Sequence, residues 1–360
     1  MKFFFLFILL ILASANTYVV WRLCAIAPVN TYFRYIIITF VIFAIISFFI
    51  VHIPGLTISI PLANVLHKIG TTWLIALLYL FLILIFIDIL RIIPQVQKLM
   101  YHNRTGIFIV FGLISVILIY GYSNYLNKRR VEINIETTKL TEPLKIVGVS
   151  DLHLGYGIGI RELSQWIELI NRENPDIVLI AGDFLDNNPR ALDVKEIDNL
   201  LKKINAKYGI YAVLGNHEYF GLPHSFRFID ETCINLLRDS VVLIDDRFYI
   251  VGRDDRSNID RQSIEQLTNG IDKSKPVIML DHQPYHLEET EANGIDFQFS
   301  GHTHSGQVWP GNLITKKIYE LDHGLLKKGA SHIFVSSGLG LWGGKFRIGT
   351  QSEYVVINLK

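Results

Sequence analysis

The chain is short of charge, of cysteine and, over its first third, of acid. Charged residues make up 19% of the 360, against about 25% in an ordinary soluble domain. Half of the residues are hydrophobic, which excludes a disordered chain and argues against one that is soluble throughout. The two cysteines, Cys24 and Cys233, fall in unlike parts of the chain and cannot build a disulfide scaffold. A net charge of +1 lacks the basic surplus of a nucleic-acid-binding domain, so no nucleic acid is expected as a partner. That near-neutral mean conceals two pieces. Residues 1–122 hold seven Lys or Arg and a single acid, Asp88, whereas residues 123–360 hold 27 and 32.

The first piece is dominated by four apolar runs, Phe3 to Trp21, Tyr35 to Val51, Thr72 to Leu90 and Thr105 to Tyr122. As helices each would reach about 25 to 28 Å, close to the roughly 30 Å hydrocarbon core of a bilayer. The stretch LLYLFLILIFIDIL has no polar face with helical period, which argues against a buried helix of a soluble domain. Residues 1–122 therefore read as four transmembrane helices of a multi-pass integral membrane protein. Ala13-Ser14-Ala15 has the outline of a signal-peptide cleavage site, but apolar character continues to Trp21 and favours an uncleaved first helix. Flanking charges tie at five against five until Lys139 is counted, leaning the C-terminal domain to the cytoplasmic side. Asp88 has two readings, an intramembrane relay carboxylate or the partner of Arg91 one turn on; the second is preferred because no polar pathway accompanies it.

Residues 123–143 form a juxtamembrane linker, with the basic triplet Lys128-Arg129-Arg130 as a topology anchor and a lead-in strand at Val131 to Ile135. From Leu144 to Lys360 apolar β-runs alternate with amphipathic stretches: LKIVGVS then 160–171, DIVLIAGD then 192–204, IYAVLGN then 225–237. Strands then dominate (VVLID, FYIVG, VIMLD, FQFSG, HIFVSSG, YVVINL), which implies an α/β domain with two packed sheets rather than one parallel sheet.

Five of the β-runs end in polar clusters: Asp151-Leu152-His153, Gly182-Asp183, Gly215-Asn216-His217-Glu218, Asp281-His282 and Gly301-His302-Thr303-His304. Strand C-termini project into one crevice in α/β proteins, so the five are expected to converge. Each is weak alone, since such dipeptides are common caps and turns. Together, two Asp, one Asn and four His offer hard oxygen and borderline nitrogen donors without thiolate, suited to Mn, Fe or Zn.

The ordered series DLH, GDFLD, GNHE, H and GHTH resembles the calcineurin-like metallophosphoesterase superfamily over residues 144–360. GRDD at 252–255, DHQP at 281–284, SGHTHSGQ and SSGLG at 336–340 resemble its membrane-associated branch of YkuE- and YaeI-like phosphoesterases. Ser305 departs from that branch, which usually has glycine after GHTH. The resemblance implies a β-sandwich flanked by helices and a phosphoric ester hydrolase with two divalent metal ions. Asp151, His153 and His304 would hold one, Asn216, His282 and His302 the other, and Asp183 would bridge them. His217 would act beside the substrate phosphate with Glu218 orienting its imidazole, and Asp186 would support the surrounding shell.

Relatives in this branch and its neighbours act on lipid-linked phosphates, including the pyrophosphate of UDP-diacylglucosamine, so the resemblance implies a phosphomonoester, phosphodiester or pyrophosphate of a lipid-linked substrate. A tether of about 20 residues confines the domain to the bilayer surface and points the same way. The alternatives are a soluble phosphodiester or phosphoprotein substrate and, with every expected ligand present, less well supported, a non-catalytic scaffold of the same fold. Trp309, Leu313, Ile314, Lys316 and Lys317 read either as an amphipathic loop touching the interface or as a surface hairpin with its apolar residues turned inward, the second being preferred.

Overall fold

A computed structural model describes residues 2–27, 31–53, 56–101, 104–186, 189–220 and 225–360, the side chains of 2–5, 33 and 225 excepted. It divides into two units, residues 1–123 with 343–346, and residues 124–342 with 347–360.

The first unit is helical: α1 (Lys2–Ile26), α2 (Thr31–Ile50), α3 (Ile60–Leu90), α4 (Pro94–Met100) and α5 (Arg104–Leu126). Among the described residues three helices are long and apolar enough to cross a membrane, Leu6–Ile26, Ile60–Leu90 and Arg104–Leu126. The second run gives a shorter apolar helix, Arg34–Ile50, so the four spans expected become three with one shorter companion. The third starts earlier than its apolar run because Pro61 sits in the first turn, where its missing N–H leaves no bond unmade. Asp88 does not pair with Arg91, which is exposed at the helix end. Its carboxylate instead takes the guanidinium of Arg22, 3% exposed on α1, together with Tyr18 Oη at 2.7 Å and Tyr101 Oη at 2.6 Å. A cation buried among apolar helices needs a counter-charge, and Asp88 is the acid these helices contain.

The second unit is built on two six-stranded sheets. One has the order β1-β12-β2-β3-β4-β5, from β1 (Arg129–Ile135), β2 (Leu144–Val149), β3 (Ile177–Ala181), β4 (Ile210–Val213), β5 (Asn235–Leu236) and β12 (Glu353–Leu359). The other has the order β10-β11-β9-β8-β7-β6, from β6 (Ser240–Ile244), β7 (Phe248–Gly252), β8 (Val277–Leu280), β9 (Phe297–Ser300), β10 (Gly324–Lys328) and β11 (Ser331–Val335). Both are mixed: β2 to β5 and β7, β8, β9 and β11 run parallel, while β12 against β2, β6 against β7 and β10 against β11 run antiparallel.

The period of two along β3 decides which core each side chain enters. Ile177, Leu179 and Ala181 face the layer between the sheets, with Phe297, Phe299 and Ile278 opposite. Val178 and Ile180 face outward to Leu163, Trp166, Ile167 and Ile170. Those four recur at i, i+3, i+4 and i+7 on α6 (Ile160–Arg172), the spacing of one buried helical stripe. Strands buried on both faces read as unbroken apolar runs, which is why IVLIA carries no polar residue. Each fully buried Ile, Leu or Phe contributes roughly 1.5 to 3 kcal/mol, so the strands are fixed firmly enough to hold strained loops at their ends.

Shorter helices complete the unit: α7 (Val194–Leu201), α8 (Asn216–Phe220), α9 (Ser225–Asp230), α10 (Ile264–Thr268), α11 (Leu287–Ala292) and α12 (Gly311–Ile318). The helix expected over 225–237 stops at Asp230, because the chain beyond it pairs with the open edge of β4 as β5. The lead-in strand is longer than expected, and its Arg130 is engaged within the unit by Glu173 at 2.8 Å and Glu132 at 2.6 Å. The segment after GHTH corrects the preferred reading of that region. It is α12, it has no buried residue, and Leu313, Ile314 and Ile318 are 54%, 59% and 57% exposed instead of packing inward.

Candidate metal centre

The polar clusters lie just past the C-terminal ends of β2, β3, β4, β8 and β9, and their side chains meet in one place. The backbone there is strained. Asp151, His153, Asp183, His302 and His304 all adopt the left-handed region, with φ of 54°, 48°, 49°, 72° and 49°. Such residues cost of order 1–3 kcal/mol each and persist only where the surroundings hold them, a pattern that gathers at functional sites. Gly182 precedes Asp183 at φ 78°, and a Cβ there would be driven into the imidazole of His282. The sequence G-D at this strand end is therefore the chemistry of a backbone pressed against a side chain, as well as a turn.

Ligand atoms of Asp151, His153 and His304 lie within 4.8 Å of one another, and so do those of Asp183, His282 and His302. His153 Nε2 is 3.1 Å from His304 Nε2, and His304 Nε2 is 3.6 Å from Asp151 Oδ1. Asp183 Oδ2 stands between the sets, 3.3 Å from His282 Nε2 and 3.7 Å from His153 Nε2. Asn216 Oδ1 is 2.7 Å from His302 Nδ1 and 3.2 Å from His282 Nε2. His282 donates from Nδ1 to the Ala181 carbonyl at 2.8 Å, which points its Nε2 at the oxygens of Asp183 and Asn216. The donors gathered here are the carboxylate, amide and imidazole types that bind Mn, Fe or Zn. The residues present therefore fit divalent metal.

Electrostatics favour the same occupancy. Burial, followed by the nearby His217, pushes His153 down to about 3, and burial followed by His282 pushes His302 down to about 4, so both imidazoles are neutral at pH 7. Burial also raises Asp151 to about 6. Asp183 is held well below the usual carboxylate range: against the desolvation of burial, His282 and His217 keep it ionised.

His217 lies at the edge of this cluster, its ring 4.5 Å from that of His153. Against desolvation, the charge of Asp183 and the contact with Asp186 raise it to about 9. The carboxylate expected to orient it is engaged elsewhere. Glu218 does not approach the ring; its oxygens accept from Leu185 N at 2.8 Å and Gly215 N at 2.7 Å and tie the GDFLD and GNHE loops together. Asp186 Oδ1 is the group beside His217 Nδ1, at 3.3 Å. His153, Asp186 and His217 form a third set close enough to hold an ion.

Arg347 was not found from the sequence, where it is one cation in a glycine-rich tail. It is fully buried and donates to the carbonyls of His304 at 2.8 Å, Ser337 at 2.5 Å and Gly340 at 3.0 Å, and to Ser352 Oγ at 3.1 Å. Burial pulls it down to about 10. It pins the GHTH turn to the SSGLG segment, which explains why that segment belongs with the site. A cavity of about 260 Å³ opens over the cluster, lined by Asp183, His217, His302, Gln307 and Trp342 among others.

Comparison with known proteins gives a family for this geometry. Residues 144–306 match the calcineurin-like phosphoesterase model. A metallophosphoesterase of Campylobacter jejuni is 34% identical over 263 residues, 69% of this chain and 68% of the relative. One of Aquifex aeolicus is 33% identical over 237 residues, 63% of this chain and 89% of the relative. A transmembrane protein with metallophosphoesterase domain from Danio rerio is 27% identical over 311 residues, 78% of this chain and 71% of the relative. With the five strand-end clusters converging on one metal-binding constellation, the chain belongs to the calcineurin-like metallophosphoesterases and is a metal-dependent phosphoric ester hydrolase.

Proposed function

We propose that the chain is a membrane-anchored phosphoesterase whose two divalent ions are held by Asp151, His153 and His304 on one side and Asn216, His282 and His302 on the other, with Asp183 shared. The observation that carries this reading is the position of Asp183 Oδ2, within 3.7 Å of an imidazole nitrogen from each set. Two like-charged ions held close together require such a shared anion. When bound, the ions activate water and neutralise charge on the phosphoryl oxygens. The chain's own groups do the rest. Protonated His217 donates a hydrogen bond to a phosphoryl oxygen and then its proton to the leaving alkoxide, a role that contributes about 10²- to 10⁴-fold. Asp186 fixes the ring, and Glu218 keeps the loops carrying Asp183 and Asn216 in register.

The substrate class we propose is a phosphomonoester, phosphodiester or pyrophosphate of a lipid-linked molecule. Support comes from the apolar helices and from a tether shorter than the expected linker over 123–143, since α5 ends at Leu126 and β1 already begins at Arg129. Such a link spans only about 10 Å, so substrates resident in the bilayer are met at high local concentration. The Danio rerio relative, named for its transmembrane part, has a comparable combination.

The test is a panel on the full chain in detergent micelles with Mn, Fe(II) or Zn, setting phospholipids and lipid-linked pyrophosphates against soluble aryl diesters and phosphopeptides. Faster turnover of a lipid phosphoester is expected. Preference for the soluble esters would replace the substrate class, and no turnover of any ester by metal-loaded protein would contradict the hydrolytic reading.

A further inference from the structure

We infer that α12 together with Trp309 is a lipid-docking element that seats the rim of the metal centre on an anionic bilayer surface. The helix is inside out. At about 100° per residue, Gly311, Asn312 and Thr315 share one side, and all three are half-buried. Thr315 Oγ1 donates to the Asp322 carboxylate at 2.8 Å, so the helix is fastened to its unit through polar and small residues. Leu313 lies opposite them, Ile314 and Ile318 lie along the flank next to Gly311, and all three are more than half exposed, with Trp309 46% exposed just ahead. A helix packed on a soluble core shows the reverse pattern. Single exposed apolar residues are ordinary, whereas four between residues 309 and 318 form a patch.

Charge selects the occupant. Lys316 and Lys317 are exposed in the last turn, and GNLITKKI contains no acid. A second copy docking through this face would oppose like charges, while anionic headgroups complement it, and the lysine stems are long enough to keep their charge at headgroup level with the apolar side chains inserted. The face is also coupled to the site. Gly306 sits at φ 73°, and a Cβ there would run into the backbone of Gly311 and Asn312, so the turn carrying His304 and the start of the helix touch backbone to backbone. Gly306 and Gln307 line the cavity over the metal ligands. Docking through α12 would present that cavity to lipid headgroups, which rests on the membrane setting proposed above and extends it to a surface.

The experiment uses the full chain in nanodiscs containing phosphatidylglycerol, with Cys24→Ser and Cys233→Ser, and a nitroxide on Ile314→Cys or Ile318→Cys. Ile259→Cys serves as the reference, being 92% exposed in the same unit. Collision with oxygen relative to a nickel chelate is expected to be several-fold higher at 314 and 318 than at 259, and to fall when Lys316→Glu and Lys317→Glu are added. Equal ratios at the three positions would overturn the inference, and so would dipolar broadening between copies, which would assign the face to self-association. The readout needs no turnover, so its failure is distinguishable from failure of the hydrolytic reading.

Discussion

The carboxylate of Asp186 stands 3.3 Å from Nδ1 of His217, while Glu218, next to His217 in sequence, turns away to bind two backbone amides. Asp186→Asn is therefore expected to lower kcat by about 10- to 100-fold, the usual cost of losing an orienting partner, with metal content unchanged. Steady-state kinetics with elemental analysis is the check. Loss of a metal equivalent would instead make Asp186 a ligand, through the set it forms with His153 and His217.

Arg347 holds four backbone carbonyls and a serine hydroxyl with one buried guanidinium. Arg347→Met leaves those acceptors unpaired at a cost on the order of 3 kcal/mol. For a unit of this size that corresponds to a drop of about 6 to 12 °C in Tm, with weaker metal retention because the His304 turn loosens. Thermal melts of the metal-loaded full chain measure it; an unchanged Tm would show that the network carries no stability.

Ser305, the departure from the related branch, occupies the left-handed region at φ 50° and ψ 34°. A side chain costs about 1 kcal/mol there and glycine does not. Ser305→Gly is expected to raise stability by up to about 1 kcal/mol with kcat/KM preserved, since the bond from Ser305 N to Thr303 Oγ1 uses backbone. Denaturant or thermal titration of both forms decides it, and a clear loss of stability would contradict the strain argument.

In the helical unit, Asp88→Leu leaves the buried Arg22 without its counter-charge, and Arg22→Leu strands Asp88 in the same way. Each single change is expected to cost about 3 to 5 kcal/mol, and the double change much less. Thermostability of the three variants in detergent forms the cycle. Additive losses would show that the pair is not the unit that matters.

The strand-end clusters of the candidate site are legible in the sequence because each depends on local chemistry, an apolar run followed by Asp, Asn or His beside glycine. What was missed depends on distant parts of the chain. Arg347 finds its acceptors only once the GHTH turn and the SSGLG segment lie together, and the partner of Asp88 is 66 residues away on another helix. The choice between Asp186 and Glu218 turned on side-chain direction, which adjacency does not encode. The face of α12 was misjudged because its residue types suit either an inward or an outward apolar side, and only the Thr315 to Asp322 bond shows which way it is fastened.

The bridging role proposed for Asp183 is tested most directly by metal stoichiometry. Elemental analysis of the purified full chain is expected to give two divalent equivalents, falling to one or none in Asp183→Asn with turnover lost, while His217→Ala keeps both equivalents and loses about 10²- to 10⁴-fold in kcat. Asp183→Asn protein that retains two equivalents and full turnover would contradict the bridging assignment.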